Sequence, residues 1–462
     1  MAPDMMLAEA AVRDLARELA AIVGEDNLIV DEEAQKRFLR DFSWYSPLLT
    51  TALADTTVDV VARPGTLDEL VRVVALGVRR RVPMTARGAG TGNYGQSLPL
   101  ERGILLDIRR LDRILAVGDD TITLEPGVVL DDAERAARAH GRELCVMSTT
   151  HRVATAAGFV AGGSGGIGSV TYGTLWDGNV PAVDLLTAED PPQLLHLSGA
   201  AVEPVLHTYG TVGVIARVTL RLGPARRWRE VYATFDDFAA AAEVAWRVAS
   251  DRALDKRLVS LQEAPIPTMF EPVKHLFTPR QSALLLILEE ASVRPVRDLV
   301  QAAGGAFDDW PEKPAIHQFP YSHTILWSKK FDRASTWLQS RYATTHERFF
   351  EQWRAVKARF GDTLLHHFEF AHPRDGGGPL PSGIPVVTDP DPQVFDAMMA
   401  FFREIGIRVH NPHSYVVQEG GFVGGAESAV ALKRRTDPHG LLNPGKLERS
   451  FYEPRMGRGP TS

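Results

Sequence analysis

The residues of this chain best suited to chemistry begin with a glycine-dense run, Arg87-Gly88-Ala89-Gly90-Thr91-Gly92-Asn93-Tyr94-Gly95-Gln96-Ser97. Gly90 to Gly95 spell G-x-G-x-x-G, the pattern that holds a dinucleotide's pyrophosphate where a strand turns into a helix. The upstream half of that context is present, since Arg81 to Ala86 reads as a short strand. The downstream half is missing: Gln96-Ser97-Leu98-Pro99-Leu100 carries a proline, and Gly103 to Ile108 reads as another strand. A glycine loop between two strands still binds phosphate oxygens, because successive N–H groups free of Cβ crowding form an anion nest. The chemistry expected is therefore phosphate binding of a non-Rossmann kind. A second glycine-dense segment, Gly158 to Gly173, lets main chain approach a long ligand closely.

The elements that must position these loops follow from periodicity. Leu7 to Gly24 is an amphipathic helix, and Glu32 to Arg40 a second short helical pattern. From Val58 the texture is strand, helix (Thr66 to Arg80, opening with a Thr-x-x-Glu capping box), strand, glycine loop, strand. Strands follow at Thr121 to Glu125 and Gly213 to Leu222, with a helix from Leu130 to His140 between them. After Pro224, strand-like Trp228 to Phe235, helical Asp236 to Ala253, strand-like Leu258 to Gln262 and Ala283 to Glu290, and helical Val293 to Ala303 give a ferredoxin-like β-α-β-β-α order. Beyond it come a helical reading for Thr336 to Phe360, a strand for Leu364 to Ala371, a Gly/Pro loop from Pro373 to Pro392, and helices at Gln393 to Gly406 and Ala426 to Arg435.

The bulk properties bound the class. A chain of 462 residues, 44% hydrophobic and 24% charged, is expected to form two or three globular cores. A net charge of −7 gives no electrostatic footprint for nucleic acid. The single cysteine, Cys145, excludes an intrachain disulfide framework and fits a reducing, cytoplasmic compartment. The N-terminal region has no basic segment followed by a long apolar run, and no stretch approaches a membrane span.

In their order, several motifs make the chain resemble the FAD-linked oxidases of the vanillyl-alcohol oxidase / p-cresol methylhydroxylase type, including the glycolate oxidase and D-lactate dehydrogenase group. They are Val61-Ala-Arg-Pro-Gly-Thr-Leu-Asp-Glu-Leu70, the Arg87 to Gly92 loop, Leu106-Asp107-Ile108-Arg109-Arg110-Leu111, and Glu125-Pro126-Gly127-Val128. Thr155 to Gly166, Tyr172-Gly173, Tyr209 to Ile215 and the terminal Asp437-Pro-His-Gly-Leu-Leu-Asn-Pro-Gly-Lys446 complete the set. The resemblance implies an α+β fold: an FAD-binding domain of two subdomains, with a mixed α/β, ferredoxin-like cap. The expected division is 1–225 for the FAD domain with a helical preface, 226–420 for the cap, and 421–462 for a return to the FAD domain. It further implies that Arg87, Gly88, Ala89, Gly90, Thr91, Gly92 and Asn93 cradle the pyrophosphate. Thr155, Gly158, Gly162, Gly163, Gly165, Gly166, Val214, Ile215 and Asn443 would contact the rest of the cofactor.

Relatives that link FAD covalently through this loop have a histidine at Thr91, and those adding a cysteinyl bond have it at the position of His151, so FAD is expected to bind non-covalently. The hydroxy-acid group carries a paired-histidine glycine motif and then Glu-His-Gly, which hold a divalent metal. Here stand His366-His367-Phe368-Glu369-Phe370-Ala371-His372 and Gln418-Glu419-Gly420-Gly421. On a strand His367 and Glu369 share one face while His366 and His372 share the other, so the four converge only with a bulge; no metal is assigned, and one held by three ligands with a carboxylate, among His366, His367, Glu369, His372 and Glu419, stays open. His410 and His413, on a proline-broken segment where relatives place groups over the flavin, are candidate general bases. His151 and Glu419 are expected near the same ring, and Lys446 near its anionic edge.

The expectation is an FAD-dependent oxidoreductase that transfers hydride from a small alcohol, 2-hydroxy acid or phenol to flavin N5. A flavin-bearing electron-transfer subunit and a non-redox lyase or binding protein on the same fold are the alternatives. The cap aromatics Trp310, Phe319, Tyr321, Trp327, Trp337, Phe349, Phe350, Trp353, Phe368 and Phe370 hint at an apolar substrate, although most are read as core. The electron acceptor, oxygen or another, and self-association stay open.

Overall fold

The computed structural model describes residues 9–163, 165–372, 377–389, 391–420 and 426–447. Part of the expected C-terminal return, residues 421–425 and 448–462, lies outside them, as does Ser164 of the second glycine segment. The first sheet has the order Leu28–Ile29, Val60–Ala62, Ile104–Asp107, Met84–Arg87, the last three strands parallel. Helix Leu67–Arg80 covers it, and its start follows the capping pattern: Thr66 Oγ1 accepts from Glu69 N, while Glu69 Oε2 accepts from Gly65 N, one residue before the position of an ideal box. Strands Met84–Arg87 and Ile104–Asp107 are neighbours joined by the glycine loop, with no helix between them.

The second sheet is antiparallel and includes Ile114–Val117, Thr121–Leu124, Val214–Pro224, Ala182–Leu186 and Leu194–Ser198. Val214–Pro224 leads directly into Trp228–Phe235 of an eight-stranded sheet built wholly from residues 228–410. Its order is Ala306–Asp309, Trp228–Phe235, Ser282–Glu289, Lys256–Gln262, His367–Ala371, Leu380–Gly383, Gln339–Arg341, Arg408–His410. On one face Val259, Leu261, Leu284, Leu286, Phe368 and Phe370 pack with helices Phe238–Ser250, Glu290–Ala302, His346–Phe360 and Pro392–Glu404. Most of the cap aromatics serve this apolar layer or its neighbour. The other face turns toward the glycine segments.

Two stretches differ from the sequence reading. Thr336 to Phe360 is not one helix: Thr336–Trp337 and Gln339–Arg341 are strands, and the helix begins at His346 after Thr345. The β-branched and aromatic residues there gain more from cross-strand packing than from helical spacing. Inside the Gly/Pro loop lie strands Leu380–Gly383 and Val386–Val387. Leu380–Gly383 is central because Gly383 has no side chain; a Cβ there would stand 2.5 Å from Ser340 Oγ on the neighbouring strand.

Candidate functional site

The glycine loop borders a cavity of about 90 Å³, lined by Ala86 to Gly92, Thr155, Gly158, Gly162 and Gly213 to Ile215 among others. Among the described residues, the amides of Ala89, Gly90, Thr91 and Gly92 donate to no carbonyl or side chain. Gly90 has φ +67, and a Cβ on it would meet the Arg87 guanidinium at 2.0 Å. Arg87 is buried, with its charge beneath the loop; it donates to Ser97 Oγ at 3.0 Å and to the Arg40 carbonyl. Gly162, on the opposite wall, has nothing within 4 Å of where its Cβ would be. Unused amides, a buried cation and a wall without side chains fit a pyrophosphate-bearing group such as FAD.

The end of the chain holds this loop. Asn443 Nδ2 donates to the carbonyls of Gln96 at 2.8 Å and Tyr209 at 2.7 Å. Lys446 Nζ donates to the Gly95 carbonyl at 2.7 Å, over the Tyr415 ring. Lys446 is fully buried, and burial pushes its ammonium down to about 7.

A larger cavity of about 220 Å³ shares Thr91, Gly92, Gln96, Gly158 and Gly162 with the first, so the two adjoin along these residues. Phe42, Tyr45 and Phe159 supply apolar walls, and the eight-stranded sheet supplies a polar one. Cross-strand pairing lines up Ser260, Glu369, Ser382 and Arg341 in one row. Residues directly opposite share a face, and neighbouring strands are about 4.8 Å apart, so this row presents a carboxylate and a guanidinium on the same wall. Burial, then the charge of Arg408, holds the Arg341 guanidinium below its usual range. Tyr321 ties the cradle to the sheet. Its hydroxyl donates to the Gly166 carbonyl at 2.7 Å and its N–H to Glu369 Oε1 at 2.8 Å, from a backbone at φ +56.

The residues singled out from the sequence are distributed unevenly around the two cavities. Arg87 to Gly92, Thr155, Gly158, Gly162, Val214 and Ile215 line the smaller cavity, and Asn93, Gly163, Gly165, Gly166 and His410 the larger. His151 does not line it; Nδ1 stands 3.1 Å from Asp131 Oδ1 and the ring 4.6 Å from that of His317, although Ser148, Thr149 and Thr150 beside it do. His413 accepts from Ser46 Oγ through Nδ1 at 2.8 Å and donates from Nε2 to the Trp337 carbonyl at 3.0 Å. Glu419 is exposed and accepts from Ser414 Oγ at 2.8 Å. His366 stacks between Phe238 and Phe368, away from His367 and Glu369. Among the described residues no group of three or more His, Cys, Asp or Glu is placed to hold a metal.

Sequence reasoning missed Arg341, Gln339 and His207, all on the larger cavity, and named Tyr321 there only as a cap aromatic. His207 had a signal, standing just before the Tyr209 to Ile215 motif. It donates from Nδ1 to the Gly163 carbonyl at 2.8 Å and accepts from Tyr209 OH at 3.1 Å, and burial pushes it down to about 4.

Comparison with known proteins agrees with the cradle: residues 58–190 match the family described as FAD binding domain. They form an FAD-binding domain. The chain is 22% identical over 290 residues to the glycolate oxidase subunit GlcD of Bacillus subtilis, covering 60% of this chain and 59% of that one. It spans about half the length of the curated relatives it matches. Among solved structures, alkyldihydroxyacetonephosphate synthase superposes with a TM-score of 0.70 at 17% identity, covering 94% of this chain and 84% of that one. p-Cresol methylhydroxylase with substrate bound does so with 0.68 at 15% identity, covering 95% and 97%. The fold outside the FAD-binding domain is thus that of the p-cresol methylhydroxylase type. Among the described residues no helix is long and apolar enough to cross a membrane.

Proposed function

We propose that this chain is an FAD-dependent oxidoreductase that oxidises a small hydroxyl-bearing molecule, with residues 226–420 as the cap over the substrate. The observation that carries the reading is the adjacency of the two cavities, a phosphate cradle that shares Gly92, Gly158 and Gly162 with a chamber that has one polar wall. When bound, FAD supplies the acceptor of two electrons. The chain's own part is to bind and orient. Amides of Ala89 to Gly92 and the Arg87 cation would hold the pyrophosphate, without a covalent bond, since Thr91 offers no imidazole. Phe42, Tyr45 and Phe159 exclude water from the chamber and sharpen its electrostatics.

Arg341 favours a 2-hydroxy acid over a plain alcohol or a phenol, because a half-buried guanidinium on the wall suits an anionic substituent. The glycolate oxidase subunit among the relatives agrees with that choice. The test is an anaerobic screen of glycolate, lactate, benzyl alcohol and p-cresol against the FAD-loaded protein, read as loss of flavin absorbance. Bleaching by a hydroxy acid is the expected result; a flavin that none of the four reduces overturns the reading.

A further inference from the structure

Glu369 is only 1% exposed, yet it belongs to the wall of the larger cavity, and its two oxygens are used unequally. Oε1 accepts from Ser260 Oγ at 2.7 Å and from Tyr321 N at 2.8 Å, and His367 Nε2 lies 2.6 Å away. Oε2 has no hydrogen-bond partner. The donors are themselves fixed. Gln262 Nε2 donates to Ser260 Oγ at 2.9 Å, which turns the serine hydrogen toward the carboxylate. His367 Nδ1 is 3.1 Å from the Ile384 carbonyl, which can only accept, so Nδ1 carries a hydrogen and the proton between Nε2 and Oε1 belongs to the pair. The Ser260 hydroxyl, the Tyr321 amide and the proton shared with His367 thus hold Oε1, and Oε2 is left without a partner in the wall of the chamber. A buried carboxylate oxygen with nothing to accept is costly, and a ligand hydroxyl would relieve it.

We propose that Glu369 Oε2 is the proton acceptor for the substrate hydroxyl, with His367, Ser260 and the Tyr321 amide as positioning groups; this rests on the oxidoreductase reading above. The substrate O–H bond breaks and its proton bonds to Oε2. The electron pair left on oxygen becomes the second C–O bond, while the hydrogen on carbon departs with its pair to the oxidised flavin, the two-electron oxidant. Arg341, two strands along the same row, would pair with the carboxylate of a hydroxy acid while its hydroxyl reaches Oε2. His413 is unsuited to the task, because it does not line the chamber and both its ring nitrogens are engaged.

Glu369→Gln tests this in the FAD-loaded protein. With Oε1 held as an oxygen by its donors, the amide would present NH₂ to the chamber, a donor in place of an acceptor. Two probes that cannot be oxidised, 2-hydroxyisobutyrate and pivalate, differ by a hydroxyl against a methyl, and calorimetry gives their dissociation constants. Wild type should prefer the hydroxy acid by roughly tenfold or more, as for a hydrogen bond to a charged group, and the variant should erase that preference. Flavin reduction by an oxidisable hydroxy acid should slow by roughly 10²- to 10⁴-fold at unchanged FAD content. A variant that keeps the preference, or reduces its flavin at the wild-type rate, overturns the proposal; so does a wild type without the preference. If wild type shows the preference but no hydroxy acid reduces its flavin, the oxidoreductase reading falls while the hydroxyl contact of Glu369 stands. Should Glu369→Gln fail to fold with FAD, Glu369→Asp, which keeps the charge and withdraws it from the chamber, is read by the same two probes with the same consequences.

Discussion

Tyr321 donates its backbone N–H to Glu369 Oε1 and its hydroxyl to the carbonyl of Gly166, so one residue fixes both the acid on the cap sheet and the glycine segment opposite. Its left-handed backbone, at φ +56, is uncommon for a bulky side chain and is held by these two bonds. Tyr321→Phe removes only the hydroxyl, while the Gly166 carbonyl keeps its bond from the Ser169 N–H at 3.1 Å. The expected loss is about 0.5–1.5 kcal/mol of stability, the net worth of one hydrogen bond, read by denaturant unfolding, with the amide bond to Glu369 retained.

The cradle predicts a cofactor phenotype. Gly90→Val places a branched side chain at φ +67 against the Arg87 guanidinium. The variant should purify without FAD, read as the ratio of absorbance at 450 nm to 280 nm on the order of background, because the loop can no longer offer its amides together. Full FAD occupancy would show that the loop is not the phosphate site.

Attachment of the cofactor is checked by precipitation. Thr91 carries no imidazole, and His151, the nearest substitute for the second linkage point, is turned to Asp131. Acid should therefore leave the yellow colour in the supernatant. A coloured pellet would mean that another residue anchors the flavin.

Acid should unfold this protein through its buried histidines. Burial pushes His413 and His207 each down to about 4, against an ordinary value of 6.5. A depressed value means that the unfolded chain binds the proton first. The stability these neutral rings contribute is complete above pH 6.5 and is lost as pH falls through 4, by about 1.4 kcal/mol per unit for each ring. His413→Gln should remove one such contribution, so its unfolding free energy should fall less steeply between pH 6 and 4 than that of wild type.

How far the sequence predicts this site depends on distance along the chain. The strand, helix and glycine loop up to Asp107 are set by local signals: the Thr66 cap, the apolar stripe of Leu67–Arg80 and the proline that forbids a helix after Gly95. The β-α-β-β-α order from Trp228 to Ala302 is equally local. The row on the cap sheet is not, because Ser260, Glu369, Ser382 and Arg341 become neighbours only through strand order, and two of the strands lie in stretches that read as helix and as Gly/Pro loop. The Ser260 to Glu369 bond alone joins residues 109 positions apart. A histidine signals a functional group by its type, yet whether it faces a chamber, as His410 does, or a serine and a carbonyl, as His413 does, is decided by packing.

The holding of Gly95 and Gln96 by Lys446 and Asn443 also bears on the order of events during synthesis. The phosphate loop is translated early, but two of its carbonyls find their partners some 350 positions later. Domains assembled from sequential segments can fold while the ribosome still works. This one cannot close its loop until Lys446 has emerged, and a truncated product that stops before Asn443 would lack the clamp that shapes the cofactor site.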